Sequence, residues 1–486
     1  MNILAFDFGA SSGRAIIGRF DGKKVELEEI HRFANEPVEV NGQLYWDILR
    51  LYHELKQGIV KADKLGGADS MGIDTWGVDV GFIGADGQLL ANPFHYRSPH
   101  TENALEELQK VMPFGELYAE TGLAFNKFNT LCQLVVMQKN NNVALKNAQT
   151  VLFIPDLFTY FLTGKKVCEF SIASTSQLIH PGQNKFSEKV FKAYRLENKF
   201  PAIVSPGTVV GEISQAVVDE LNLTKTMPVV ASLGHDTASA FLSVPKESEN
   251  SAFLSSGTWS LLGMELDKPI FGEEAMKAGY TNEGGLGNNI RFLKNIMGLW
   301  IIQECKRYWD AEGQNLSFAQ IAEGAEKVEP CKFLIDPDAD EFYSPHDMPE
   351  KIIAFCKKSG GVVPQTVFEI ARCVYDSLAL AYKHNIIALE KITGRKIDVL
   401  HIVGGGSNNV MLNRATASAL GVRVTAGPGE GTALGNILCQ LIALGKVKDA
   451  KEAREIVRNS TEIREYAPEN TAVYDAAYKR WLSLLR

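Results

Sequence analysis

Two signatures of common nucleotide enzymes are missing from this 486-residue chain. It has no Gly-x-x-x-x-Gly-Lys-Ser/Thr loop and no Gly-x-Gly-x-x-Gly fingerprint, so it is neither a P-loop NTPase nor an obvious dinucleotide enzyme. Its seven cysteines include no Cys-x-x-Cys pair. That excludes the usual zinc and redox arrangements and leaves buried thiols in a reducing cytoplasm as the expectation. No stretch approaches the ~20 apolar residues of a membrane helix. The best run, Val151 to Leu162, is broken by Pro155 and Asp156. No basic leader with a cleavage site precedes the first strand pattern, so no signal peptide is expected. No segment is low in complexity. A net charge of −8 argues against nucleic acid or an anionic membrane as the main partner.

Length implies two domains. The polar run from Val244 to Asn250 is the expected boundary, giving segments 1–244 and 245–486. What the chain does contain is one pattern written twice. Asn2 to Phe6, a small turn through Gly13 and Arg14 to Phe20 form the first copy. Ser251 to Leu254, a turn around Gly257-Thr258 and Trp259 to Gly263 form the second. Each reads as strand, Gly/Ser turn, strand. Successive backbone N–H groups in such a turn make an anion-binding concavity. The pair points to a duplicated protein that grips a polyphosphate from two sides.

Helical periodicity follows over Trp46 to Leu65, with Ile48, Leu49, Tyr52, Leu55, Ile59 and Val60 as its apolar positions. A long helix is expected over Val367 to Thr393. The apolar strand Asp398 to Val403 then runs into Gly404-Gly405-Gly406, followed by a helix from Val410 to Leu420. Strand, glycine loop and helix is a phosphate- or nucleoside-binding geometry, because helix N-termini carry unpaired N–H donors.

Asp7 closes the first strand. A carboxylate there either holds a Mg²⁺ ion that bridges phosphates or caps its own turn. Asp236, after the strand Val229 to Ala231 and before a small-residue helix, has two readings as well. It is the base of a phosphoryl transferase or an ordinary helix cap. The residues leave both pairs open. His235 is placed to tune Asp236 or to serve as a structural hydrogen-bonding group. Trp76 and Trp259 are candidates for stacking on a sugar ring, with core packing as the default. Asn295 reads as lying near the start of an apolar helix, with Gln303 about two turns further along the same face.

Several blocks together resemble the FGGY carbohydrate kinases. They are Asp7 to Arg14, Gly72 to Asp79, His235 to Ala240, Leu254 to Ser260, Thr281 to Gly285, Leu293 to Trp300 and His401 to Gly406. The resemblance runs end to end. It implies an α/β fold of two actin-like (RNase H-like) domains with a deep inter-domain cleft. It also implies transfer of the γ-phosphoryl group of ATP, with Mg²⁺, to a small-molecule ketose. The stretches around Trp76, Asp236 and Asn295 point to the 1-hydroxyl of L-rhamnulose, in L-rhamnose catabolism. Sibling kinases of L-fuculose or L-xylulose, and a non-catalytic ATP-binding sensor, are the alternatives.

By resemblance, Asp236 is the proton acceptor and Asp7 organises the metal. Ala10, Ser11, Ser12, Gly13, Arg14 and Thr258 hold phosphates, while Gln303 and Gly405 contact the nucleotide. Gly77, His235, Asp236, Thr237 and Asn295 hold the sugar. Two departures stand out. The helix Arg414 to Leu420 lacks the cysteine pair seen in some family members, although Cys356 and Cys373 keep a family spacing. The stretch His95-Tyr96-Arg97-Ser98 lacks the usual acidic residue beside its arginine.

Overall fold

The computed structural model describes residues 1–485. It divides into two compact units, each assembled from separated pieces of chain. The first contains Met1–Ser243, Glu265–Phe292 and Thr432–Ser460, and the second contains Val244–Met264, Leu293–Gly431 and Thr461–Arg486. The chain thus first changes unit at Ser243, and two later segments return to the first unit.

In the first unit, β1 (Asn2–Phe8), β2 (Ser12–Phe20) and β3 (Val25–Ala34) form an antiparallel meander. Helix α1 (Ile48–Lys64) leads to β4 (Ser70–Thr75), which lies parallel to β1. Strands β5 (Thr208–Glu212) and β6 (Pro228–Ala231) complete the sheet, in the order β5–β6–β4–β1–β2–β3. Helix α2 (Asp236–Leu242) follows β6 directly.

Both faces of this sheet are covered, and the alternation along β1 shows it. Leu4, Phe6 and Phe8 join the core under α1, which contributes Leu51, Leu55 and Ile59. Ile3 and Ala5 point the other way and pack with Leu434 and Ile437 of the helix Gly431–Ala443. That apolar helix has this sheet face to bury against, which is why the chain returns to the first unit so late. It also passes close to α2: a Cβ on Gly435 would stand 1.8 Å from the Ser239 carbonyl oxygen. Of the apolar positions expected in α1, Ile48, Leu55 and Ile59 are buried, Tyr52 and Val60 are half-buried and Leu49 is exposed, while Leu51, outside the expected pattern, is buried.

The second unit repeats the plan. Strands β7 (Ser251–Ser256) and β8 (Trp259–Leu266) form the hairpin that matches β1 and β2. Helix α3 (Trp300–Ala311) and the long α4 (Val367–Thr393) precede β9 (Val399–Val403), which lies parallel to β7 as β4 does to β1. Helix α5 (Val410–Leu420), β10 (Arg423–Ala426) and β11 (Arg464–Tyr466) follow, and these five strands lie in the order β8–β7–β9–β10–β11 within a seven-stranded sheet that continues beyond β8 with Ile290–Met297 and Thr281–Gly284. α4 has the predicted ends. Thr366 and Glu369 make a reciprocal capping box, and Gly394 stops the helix in the left-handed conformation. The architecture is therefore α/β, built from two similarly wound units. No helix among the described residues is long and apolar enough to cross a membrane.

Candidate active site

In the first unit the site is organised by the loop between β6 and α2. Its backbone is tied down on both sides. Thr75 N–H donates to the Gly234 carbonyl at 2.9 Å. Gly234 N–H donates to Glu169 Oε2 at 3.0 Å, and His235 N–H donates to Ser171 Oγ at 3.2 Å. Glu169 is itself buried and also receives Ser171 N–H, Ser171 O–H and Ile172 N–H.

This anchored loop presents Asp236 as the first residue of α2, with His235 in the cap position. The two oxygens of Asp236 differ. Oδ1 accepts from Thr237 N–H at 2.5 Å and from the Thr237 hydroxyl at 3.0 Å, and it faces His235 Nε2 at 3.4 Å. Oδ2 takes no protein hydrogen bond among the described residues, and the side chain keeps 32 % of its surface open. Asp236 is therefore not the cap of α2, one of its two readings in the sequence: His235 holds that position, and Asp236 uses Oδ1 within the first turn while Oδ2 stays open. The protein packed around Asp236 pushes its pKa above the usual carboxylate value; His235 opposes that rise and Asp7 adds to it.

Asp7 lies within β1, directly opposite Arg14 on β2. Its Oδ2 accepts from Arg14 Nη2 at 2.6 Å. The turn between them is shorter than the sequence pattern implies, because β1 runs on to Phe8 and β2 starts at Ser12. Gly9 N–H closes it on the Ser12 carbonyl at 2.9 Å. Ala10 and Ser11 sit at its tip. Gly13 is small for a packing reason: a Cβ there would lie 2.2 Å from the Phe33 ring.

Beside Asp7 on the parallel strand stands Asp74, which the motif reading passes over. It is fully buried. Its Oδ2 accepts from Asn436 at 2.6 Å, while Oδ1 has no partner. Burial, then the charge of Asp7, raises its pKa well above the usual range. The one charged residue in a wholly buried strand was the available signal.

After β4, Gly77 precedes Val78, whose φ of 70° is unusual for a β-branched residue. The distortion is held from both sides, by the Thr175 hydroxyl on Val78 N–H and by the Thr130 hydroxyl on the Val78 carbonyl. Trp76 is buried and stacks on Trp46 at 3.9 Å, so it packs in the core. Both indole N–H groups converge on Asp79. Arg97 has Tyr96 as its neighbour, through Nε to the phenolic oxygen at 3.3 Å.

In the second unit, the Thr258 hydroxyl donates to Gln303 Oε1 at 3.2 Å, bringing together two residues expected at the nucleotide. Gly257 N–H closes the β7–β8 turn on the Trp259 carbonyl at 2.9 Å, as Gly9 does in the first copy. Gly405 starts a short 3₁₀ turn after β9, and no atom lies within 4 Å of where its Cβ would be.

Asn295 corrects the sequence reading: it lies in the strand Ile290–Met297, and the helix begins only at Trp300. Asn295 and Gln303 therefore do not share a helix face. Ile290 to Leu293, Ile296 and Met297 are buried on both faces of the strand, a short apolar run that helical periodicity imitates. The Asn295 amide oxygen is buried without a partner. Cys356 and Cys373 are free buried thiols.

The fold is that of two-domain, actin-like sugar kinases. It superposes on a xylulose kinase from Lactobacillus acidophilus with a TM-score of 0.84, at 14% identity over 99% of this chain and 97% of that one. A Plasmodium falciparum glycerol kinase solved with ADP gives 0.81, at 15% identity over 100% and 98%. The model of the FGGY carbohydrate kinase N-terminal domain matches residues 2–243, and that of the C-terminal domain matches 252–444. The chain belongs to the FGGY family of carbohydrate kinases. It is 40% identical to a rhamnulokinase of Bacteroides thetaiotaomicron, over 100% of this chain and 99% of the relative. It is 42% identical to a rhamnulokinase of Enterococcus faecalis, over 98% and 97%.

Proposed function

We propose that this protein transfers the γ-phosphoryl group of ATP to the 1-hydroxyl of L-rhamnulose, giving L-rhamnulose 1-phosphate and ADP in L-rhamnose catabolism. The observation that carries this reading is whole-length identity near 40% to several rhamnulokinases. The anchored Asp236 supplies a carboxylate suited to the chemistry.

Phosphoryl transfer needs positioning and charge neutralisation more than covalent chemistry. Asp236 Oδ2 accepts the proton of the sugar hydroxyl, while Oδ1 stays fixed by Thr237 and His235. The raised pKa of Asp236 brings it closer to the operating pH, as suits a general base. His235, Thr237, Gly77 and Asn295 orient the sugar. Asn295 offers an amide oxygen that has no other partner.

The open space at Gly405 leaves its backbone free for approach by a nucleotide, and Thr258 and Gln303 supply polar groups for the same ligand. In the first unit, Ala10 and Ser11 in the turn and Ser12 and Gly13 at the start of β2 offer backbone amides, and Arg14 a guanidinium, to phosphate oxygens. The unpaired Asp74 oxygen beside Asp7 fits a hydrated Mg²⁺ held at Asp7. When bound, such an ion neutralises phosphate charge. A cytoplasmic location accords with seven free, buried thiols.

The test is the product itself. Incubation with ATP and L-rhamnulose, followed by phosphorus NMR and mass spectrometry, should give a ketose monophosphate substituted at the primary 1-oxygen. Phosphate on another oxygen, or unaltered sugar, would contradict the proposal.

A further inference from the structure

Arg291 has no exposed surface at all, and its partner Glu283 is nearly as buried. Burying a guanidinium costs several kcal/mol, which only a well-placed countercharge offsets. Here Nη1 lies 3.1 Å from Glu283 Oε2, and Nε donates to the Gly284 carbonyl at 2.9 Å. Burial alone would raise the pKa of Glu283, but Arg291 and then His235 hold it below its ordinary value. The guanidinium also lies 5.8 Å from the Phe241 ring, on the helix that Asp236 opens.

The pair ends on one atom. His235 Nδ1 is 3.3 Å from Arg291 Nη2 and 3.2 Å from Glu283 Oε2. A guanidinium only donates and a carboxylate only accepts. With a neutral ring, Arg291 donates to Nδ1 and the proton resides on Nε2. With a charged ring, Nδ1–H stands as an ion-pair contact 3.2 Å from Glu283 Oε2, which takes no hydrogen bond, and Nε2 still carries a proton. In both states an N–H faces Asp236 Oδ1, at 3.4 Å. The remaining tautomer would set a lone pair against that oxygen.

We propose that Glu283 and Arg291 are positioning residues for phosphoryl transfer: a buried ion pair that holds His235 by its Nδ1 edge, so that Nε2–H is turned toward Oδ1 of Asp236 and Oδ2 is left to take the sugar proton. The inference rests on Asp236 being the base. Neither residue touches the reacting atoms; both act through His235.

The experiment is a double-mutant cycle of Glu283→Gln with Asp236→Asn, read by kcat and by KM for each substrate, with folding checked by thermal denaturation. Glu283→Gln keeps shape and removes charge; Arg291→Met is the harsher companion. In the Asp236 background, Glu283→Gln should lower kcat by about tenfold, part of the ~10²–10⁴ that a positioned base supplies, with KM for ATP within about twofold. In the Asp236→Asn background it should cost nothing further. A folded Glu283→Gln enzyme with normal kcat, or a cost that adds fully to that of Asp236→Asn, would overturn the clamp alone. Near-normal turnover by Asp236→Asn would overturn the base assignment, and the clamp with it.

Discussion

Glu169 accepts the backbone N–H of Gly234, 65 residues further along the chain, at 3.0 Å. The bond fixes the segment that carries His235 and Asp236, so a buried carboxylate sets where the proposed base stands. Glu169→Ala would leave the N–H groups of Gly234, Ser171 and Ile172 unpaired and buried. Each such group costs about 1–3 kcal/mol. Urea titration should show a loss of about 3 kcal/mol or more, with a fall in turnover. A loss under about 0.5 kcal/mol, the range of a neutral surface change, would show that the anchor is dispensable.

Asp236→Asn should lower kcat by ~10²–10⁴, the usual contribution of a positioned base, and leave ATP affinity largely intact. Calorimetric titration with ATP and steady-state assays separate the two. Near-normal turnover would remove Asp236 from the base role.

The two neighbouring glycines of the β9 loop should respond differently. Gly405 has open space at its Cβ, so Gly405→Val should fold normally and weaken nucleotide binding at least tenfold, about 1.4 kcal/mol. Gly406 has Ser256 Oγ 1.9 Å from its Cβ position, so Gly406→Ala should destabilise by about 1–3 kcal/mol through overpacking. Unchanged nucleotide affinity in a folded Gly405→Val protein would separate this loop from the site.

Asp79 provides a pH test. Burial raises its pKa from 3.8 to about 7, against the opposing effect of hydrogen bonds from Trp46, Gln133, Trp76 and Tyr96 N–H. The folded protein therefore keeps a proton that the unfolded chain loses across that window. The stability this contributes is full below about pH 4 and lost as pH rises to about 7. The difference in unfolding free energy between wild type and Asp79→Asn should fall over that range and flatten above it. A difference that stays level would mean that Asp79 is ionised in the folded state throughout.

Much of the frame was legible in the residues. The repeated strand–turn–strand, the long helix from Val367 to Thr393 and the strand into Gly404-Gly405-Gly406 depend on local periodicity and turn chemistry, which sequence expresses directly. Asn295 misled because the apolar run around it fits a helix as well as a buried strand, and only pairing decides between them. Glu169, Glu283, Arg291 and Asp74 were missed for another reason. Their roles exist only through long-range contacts, such as Arg291 with His235 or Asn436 with Asp74, and no local spacing encodes those. Gly13 illustrates the reverse: beside the phosphate role expected of it, its smallness is required by the Phe33 ring, a contact the local sequence does not reveal.

The central claim is tested most directly by a coupled ADP-release assay across a panel of ketoses, including L-rhamnulose, L-fuculose and L-xylulose, with ATP and Mg²⁺. The account predicts sugar-dependent ADP release with the highest kcat/KM for L-rhamnulose. A preference for another ketose would make this a sibling kinase, and ATP binding without ADP release on any sugar would contradict the enzyme assignment itself.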